Sequence, residues 1–277
     1  MRQGDIQLAE VFKDATTHQA VAKIIIKHLS NDTDVREAAL NGLDLSNAKN
    51  ILDLGCGFGY FTRALKDRVQ EGANITGIDR HKEYKKPYLQ SCEEANLKGT
   101  FIDRGIRSLK QFNDDSIDLV ICSYAMYFFP EAIPEISRVL KDDCYFITIT
   151  HAKPHMLEFT SYVRKILLRN GIDPGVFLPY EALIDNFSNI NGKALLRDGF
   201  CSVKHKDYKS SLVFNKEDFQ DFVRYFNFKH SFFLPLNHAD LEKWARIILE
   251  HVKNDLDKNG SLRITKDDMI FVCTTPI

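Results

Sequence analysis

Residues Ile51-Leu-Asp-Leu-Gly-Cys-Gly-Phe-Gly59 constrain this chain more than any other stretch: an apolar run carries an acidic residue, ends in alternate glycines, and meets helix-compatible sequence at Tyr60. A strand, a glycine turn and a helix in succession put backbone amides at the carboxyl end of a strand, where an open parallel sheet binds its ligand. A dinucleotide turn would read G-x-G-x-x-G, yet the third glycine position holds Tyr60 counted from Gly55 and Thr62 counted from Gly57. The nicotinamide fingerprint fails in both registers. Asp53 followed by Gly55, Cys56, Gly57 and Gly59 suits a ligand with a cationic amino-acid end better than a pyrophosphate.

Short apolar runs alternate with helix-compatible segments on either side of this turn. The runs are Asn50 to Leu54, Asn74 to Ile78, Thr100 to Ile102, Ile117 to Cys122 and Cys144 to Thr150. That rhythm is the signature of βαβ units and a parallel sheet. Ile133 to Leu140 reads as the short helix before the fifth strand, with Lys141-Asp142-Asp143 as the intervening turn. Upstream, apolar residues at helical spacing (Ile6, Leu8, Val11, Phe12, then Val21, Ile24, Ile25, Leu29) predict a helical arm broken between Asp14 and Thr17. Past Thr150, helix-like stretches at Met156 to Arg169 and Tyr180 to Phe187 predict an insertion, and strand-like sequence returns at Phe200 to Lys204 and Asp268 to Thr274. The expected layout is an arm over 1–47, a ligand-binding core over 48–150, and a lid with the final strands over 151–277, one domain overall.

With this pattern in place, LDLGCGFG resembles the first motif of class I S-adenosylmethionine-dependent methyltransferases. The resemblance implies a Rossmann-like α/β fold whose central, mostly parallel sheet has about seven strands, and S-adenosyl-L-methionine as cofactor. Asp53, Gly55, Cys56 and Gly57 then line the cofactor. Asp79, 20 residues beyond Gly59 at the end of the next run, is placed to accept hydrogen bonds from both ribose hydroxyls, with Arg80 beside it. Many members carry an Asp after the third strand for the adenine amino group. Here that stretch is Gly105-Ile106-Arg107-Ser108, so adenine contacts are expected from backbone near Ile106 or from Ser108, and Ser123 ends the fourth strand beside the methyl site.

Outside the sheet the organisation resembles histamine N-methyltransferase. The features are Thr16-Thr17-His18-Gln19 before an N-terminal helix, Ala125-Met126-Tyr127-Phe128-Phe129 after strand four, the Phe-rich stretch from Phe222 to Phe228, and the closing IFVCTTP. The resemblance implies that Thr17 and Tyr124 contact substrate. The glutamate that pairs with an ammonium in that enzyme is replaced by Thr17, which argues against histamine itself. Tyr124 and Tyr127 are candidates to stack on an aromatic or cationic substrate.

Methyl transfer to an amine or hydroxyl requires a proton acceptor, and histidine titrates in the right range. Among nine histidines, His151 just past strand five is the first candidate and His18 the second. His151, His155 and Glu158 have metal-compatible spacing, but Pro154 interrupts the helix such a set would need, so no metal is expected. Lys plus Arg (37) nearly cancels Asp plus Glu (38), without a basic run, so a small-molecule substrate is favoured over nucleic acid. No apolar stretch approaches the roughly 20 residues of a membrane span, and the first residues lack a secretory core, so a cytoplasmic location without membrane association is expected. Six scattered cysteines without a C-x-x-C pair suggest neither a zinc site nor a disulfide framework. The competing readings are a nucleic-acid or protein methyltransferase, and a non-catalytic S-adenosylmethionine-binding regulator.

Overall fold

Each apolar run becomes a strand because a parallel sheet covered on both faces buries successive side chains rather than alternate ones. In the computed structural model, which describes residues 8–234 and 238–277, β1 (Asn50–Leu54) pairs in parallel with β2 (Asn74–Ile78) and with β4 (Ile117–Ser123). β3 (Lys98–Ile102) flanks β2, and β5 (Leu140–His151) flanks β4, again in parallel. β9 (Asp268–Pro276) runs antiparallel between β5 and β6 (Phe200–Tyr208). The order is β3-β2-β1-β4-β5-β9-β6, a seven-stranded, mostly parallel sheet as the glycine turn implied. Leu52, Leu54, Leu119, Val120 and Ile121 are fully enclosed at its centre. The direction of winding reverses between β1 and β4, and their carboxyl ends form the crevice where ligands of such sheets bind.

Two boundaries differ from the sequence reading. Lys141-Asp142-Asp143 is not a turn before β5 but an irregularity within it: Ile117 faces Leu140, Leu119 faces Tyr145, and Asp143 adopts φ +58°. Lys141 donates to Asp118 at 2.6 Å, which draws the segment alongside β4. The expected break from Asp14 to Thr17 is a single residue. Asp14 caps α1 (Ala15–His28), accepting from the Thr17 amide at 3.0 Å, and the helix includes Thr16 and Thr17. Ile6, expected on the preceding helical face, lies outside the described residues.

The chain divides into two compact units. One holds the seven-stranded sheet and comprises Thr33–His151, Asn186–Tyr208 and Asp268–Ile277. Its helices are α2 (Val35–Leu40), α3 (Tyr60–Arg63), α4 (Lys85–Glu94), α5 (Ile133–Val139) and α8 (Gly192–Leu196). The other unit takes the described part of Met1–Asp32 together with Ala152–Asp185 and Lys209–Asp267. It contains α1, α6 (Leu157–Arg169), α7 (Pro179–Ile184), α9 (Phe219–Phe233) and α10 (His238–Asn259). An antiparallel pair, β7 (Ser211–Asn215) with β8 (Ser261–Thr265), completes it. The Phe-rich stretch packs into this unit's core: Phe159 lies edge-on against Phe222, Phe226 and Phe233 at centroid distances of 5.7, 5.7 and 5.0 Å. Those three recur at helical spacing on one face of α9. No helix among the described residues is long and apolar enough to cross a membrane.

Candidate functional site

Gly55, Gly57 and Gly59 all adopt positive φ, at +64°, +49° and +79°. This left-handed region is open to glycine at little steric penalty. At Gly55 a second constraint applies, since an added Cβ would stand 2.4 Å from Ala125 Cβ. The turn is tied to the neighbouring strand because the Gly55 amide donates to the Ile78 carbonyl at 2.8 Å. Gly59 caps α3. The backbone thus bends sharply at the ends of β1 and β2, with Cys56 buried beneath it and its thiol pushed well above its usual range by burial.

Asp79 follows β2 and faces this turn. Its Oδ2 accepts the Gly57 amide at 3.0 Å and its Oδ1 accepts the His81 amide at 2.9 Å. The Arg80 amide also bonds this carboxylate, which still leaves acceptor capacity for a hydroxyl donor. Burial raises the Asp79 carboxyl above its ordinary range, and the amide bonds oppose that rise. Arg80 beside it is exposed. The Gly105 amide donates back to the Asp79 carbonyl at 3.3 Å, which brings Ile106, at the head of the 3₁₀ turn Ile106–Gln111, to the same rim. Ser108 Oγ and Ser123 Oγ are both buried and find no hydrogen-bond partner among the described residues. An unsatisfied buried hydroxyl is unfavourable by about 1–3 kcal/mol unless a ligand or water meets it. Hydroxyls left in this state past the third strand and at the end of the fourth suit a bound ligand that carries polar groups.

Asp53 is 2% exposed, and its Oδ2 accepts the Thr62 hydroxyl at 2.7 Å, which ties β1 to α3. Burial pushes its carboxyl up to about 7; Thr62 counters this, the charge of Asp79 adds to it, and Arg36 reduces it. Arg36, on the first turn of α2, had not been singled out from the sequence. Its guanidinium lies 3.9 Å above the Tyr60 ring and 5.7 Å from that of Tyr124, while its buried Nε has no hydrogen-bond partner among the described residues.

At the carboxyl ends of β4 and β5 stand Tyr124, Tyr127 and His151. Tyr124 adopts φ +55° immediately after β4, and its amide donates to the Ile149 carbonyl at 2.8 Å. The His151 ring stacks on Tyr124 at 4.7 Å and on Tyr127 at 5.9 Å. Asp268 accepts from the Tyr124 hydroxyl at 2.6 Å and lies 2.8 Å from His151 Nδ1. Sequence reading had used Asp268 only as the start of a strand, although an acid opening the apolar run Met269 to Cys273 was the available signal. Thr17 and His18 belong to the other unit. Thr17 is exposed and donates its hydroxyl to Asp14 at 2.6 Å, while His18 stacks on Phe228 at 5.5 Å.

Residues 51–143, which carry the glycine turn, Asp79 and β4, match the family model described as a methyltransferase domain. That segment is similar to a methyltransferase domain. The uncharacterized methyltransferase YcgJ of Bacillus subtilis (strain 168) is 30% identical over 122 residues, 42% of this chain and 47% of that protein. Demethylmenaquinone methyltransferase of Lactiplantibacillus plantarum is 26% identical over 127 residues, 43% of this chain and 52% of that protein. The chain thus spans about half the length of these curated relatives. The crystal structure of YcgJ shares the fold with a TM-score of 0.51 at 22% identity, over 87% of this chain and 98% of that one. The seven-stranded sheet therefore shares the Rossmann-like fold of that structure.

Proposed function

We propose that the chain is an S-adenosylmethionine-dependent enzyme that methylates nitrogen or oxygen of a small molecule. The observation that carries this is Asp79, held at the end of β2 by the Gly57 and His81 amides with acceptor capacity left for a ribose hydroxyl. S-adenosylmethionine, when bound, supplies a methyl carbon activated by a positive sulfur. The residues of this chain would orient the reactants and exclude water. Gly55, Cys56 and Gly57 would line the amino-acid end with Asp53 behind them, Asp79 and Arg80 the ribose, Ile106 the adenine, and Ser123 the region of the methyl. Tyr124 and Tyr127 would face the acceptor and His151 would take its proton. By the histamine N-methyltransferase resemblance alone, Thr17 is a candidate substrate contact and His18 a second candidate proton acceptor.

A small acceptor is favoured because a curated relative is named for a demethylated menaquinone, and because the chain's near-zero net charge gives no electrostatic footprint for nucleic acid. Calorimetric titration of the purified protein with S-adenosylmethionine, and separately with NAD, tests the reading. Micromolar binding of the former alone, abolished in Asp79→Ala with the fold retained by circular dichroism, is the expected result. Equal affinity in Asp79→Ala would remove the ribose assignment. Binding without turnover on a panel of small amines, imidazoles and phenols would favour a regulatory protein.

A further inference from the structure

His151 closes β5 and Asp268 opens β9, and the antiparallel register sets the two directly opposite one another. The carboxylate is 1% exposed and the imidazole 4% exposed, so both are shielded from bulk water. One carboxylate oxygen lies 2.8 Å from His151 Nδ1, and the other accepts the Tyr124 hydroxyl at 2.6 Å. Burial, followed by the charge of Asp268, keeps the Tyr124 phenol well above its usual range, so it remains a donor. A carboxylate beside Nδ1 holds the ring proton there and places the basic lone pair on Nε2. The ring plane is fixed as well: it stacks on Tyr124 with an interplanar angle of 27° and on Tyr127 with 17°. A packed surface histidine needs none of this; a proton acceptor of defined direction needs all of it.

The acceptor's chemistry follows from the proton it must lose, since the charges nearby are already partnered. Asp268 is engaged by His151 and Tyr124, and Asp79 by the amides of Gly57 and His81. Asp34 takes the Arg36 guanidinium at 3.3 Å. Arg36 is paired with Asp34, so the choice rests on the proton: a neutral amine attacks with its own lone pair and sheds its proton afterwards, whereas a hydroxyl becomes a strong nucleophile only as its proton leaves, and a directed proton acceptor therefore favours a hydroxyl.

We propose that Asp268, with Tyr124, is the positioning residue that makes His151 Nε2 the proton acceptor for a weakly acidic hydroxyl, a phenol or enol, undergoing methylation. This rests on the methyltransferase reading and adds the acceptor class to it. In the step, the acceptor oxygen forms the new bond to the methyl carbon and His151 Nε2 takes the hydroxyl proton. The electron pair of the broken carbon–sulfur bond stays on sulfur, so charge and atoms balance.

The test combines readouts that separate its parts. Long-range proton–nitrogen correlation spectra of the histidine rings report the tautomer without any turnover. His151 is expected to carry its neutral-form proton on Nδ1, and Asp268→Asn, of equal volume, is expected to shift a measurable fraction of it to Nε2. A wild-type ring protonated at Nε2, or a tautomer unmoved by the substitution, overturns the positioning role. Calorimetry with S-adenosylmethionine should give the same affinity for wild type and Asp268→Asn within about twofold. If the wild type does not bind it, the methyltransferase reading fails while the tautomer result still decides Asp268.

With catechol as probe acceptor, formation of S-adenosylhomocysteine should fall on the order of 10²-fold in kcat for Asp268→Asn with KM little changed. Asp268→Glu should restore part of the loss. Tyr124→Phe keeps the stacking and removes one donor, so a several-fold loss is expected from a variant whose fold is not in question. Equal kcat in Asp268→Asn overturns the catalytic consequence. Wild-type silence toward catechol, with imidazole or dopamine methylated on nitrogen, overturns the hydroxyl assignment.

Discussion

Asp53→Asn should stabilise the protein at neutral pH. Burial lifts the Asp53 carboxyl from 3.8 to about 7, and about three units correspond to ~4 kcal/mol between its two protonation states. Because the folded-state value is raised, the folded protein keeps a proton that the unfolded chain releases between the two values. The stabilisation from that proton is fully present below about pH 4 and is lost as pH rises to about 7, above which the buried anion opposes folding. An amide at this position does not titrate and still offers an oxygen to the Thr62 hydroxyl that now bonds Asp53 Oδ2 at 2.7 Å. The variant should therefore match the wild type near pH 4, gain on it by up to ~1.4 kcal/mol per pH unit, and level off above pH 7 with an advantage of at most ~4 kcal/mol. Urea unfolding followed by circular dichroism at half-unit steps from pH 4.5 to 8 measures this directly. A difference that does not vary with pH would show that Asp53 is ionised throughout and that its burial does not govern its proton.

Gly55→Ala combines a left-handed φ of +64° with a Cβ 2.4 Å from Ala125 Cβ, so thermal unfolding should report a loss of about 2–4 kcal/mol. Asp118→Ala releases the Lys49 and Asn50 amides and Lys141, for an expected loss of about 2 kcal/mol at pH 7 in denaturant titration. Burial of Asp118 acts against ionisation, but Lys141 and those amides prevail and hold its carboxyl low. That contribution is therefore present above the unfolded-state value and disappears as pH falls through the folded one, so the two proteins should converge in acid. Asp14→Ala removes the cap on the Thr17 amide and should lower stability by about 1 kcal/mol.

The sheet was legible because its evidence is local. A buried parallel strand is a continuous apolar run, and a glycine turn after one of them names the ligand-binding edge. Asp79 could be found by counting along the chain for the same reason. Asp268 could not, since it is 117 residues from His151 and nothing in the spacing of two distant segments reveals an antiparallel register. The β7 and β8 pair was missed on similar grounds: Ser211–Asn215 and Ser261–Thr265 are short and separated by two helices, and each reads alone as loop. Asp53 was identified as a site residue, but its bond to Thr62 depends on how α3 folds back over β1. Arg36 gave no local signal at all, because its value lies in the Tyr60 and Tyr124 rings that other segments bring to it.

β9 has a consequence for the order in which the protein takes shape. It occupies a slot between two strands that precede it in the chain, β5 and β6. On a growing polypeptide those two strands exist before their common partner does, each with a row of unpaired amides and carbonyls facing the gap. Closing so distant a pairing is slow compared with forming the local βαβ units. The half-finished sheet is therefore the state most open to pairing with a strand from another chain, and the late strand that ends this exposure also delivers Asp268 to His151. Assembly of the sheet and completion of the dyad are a single event.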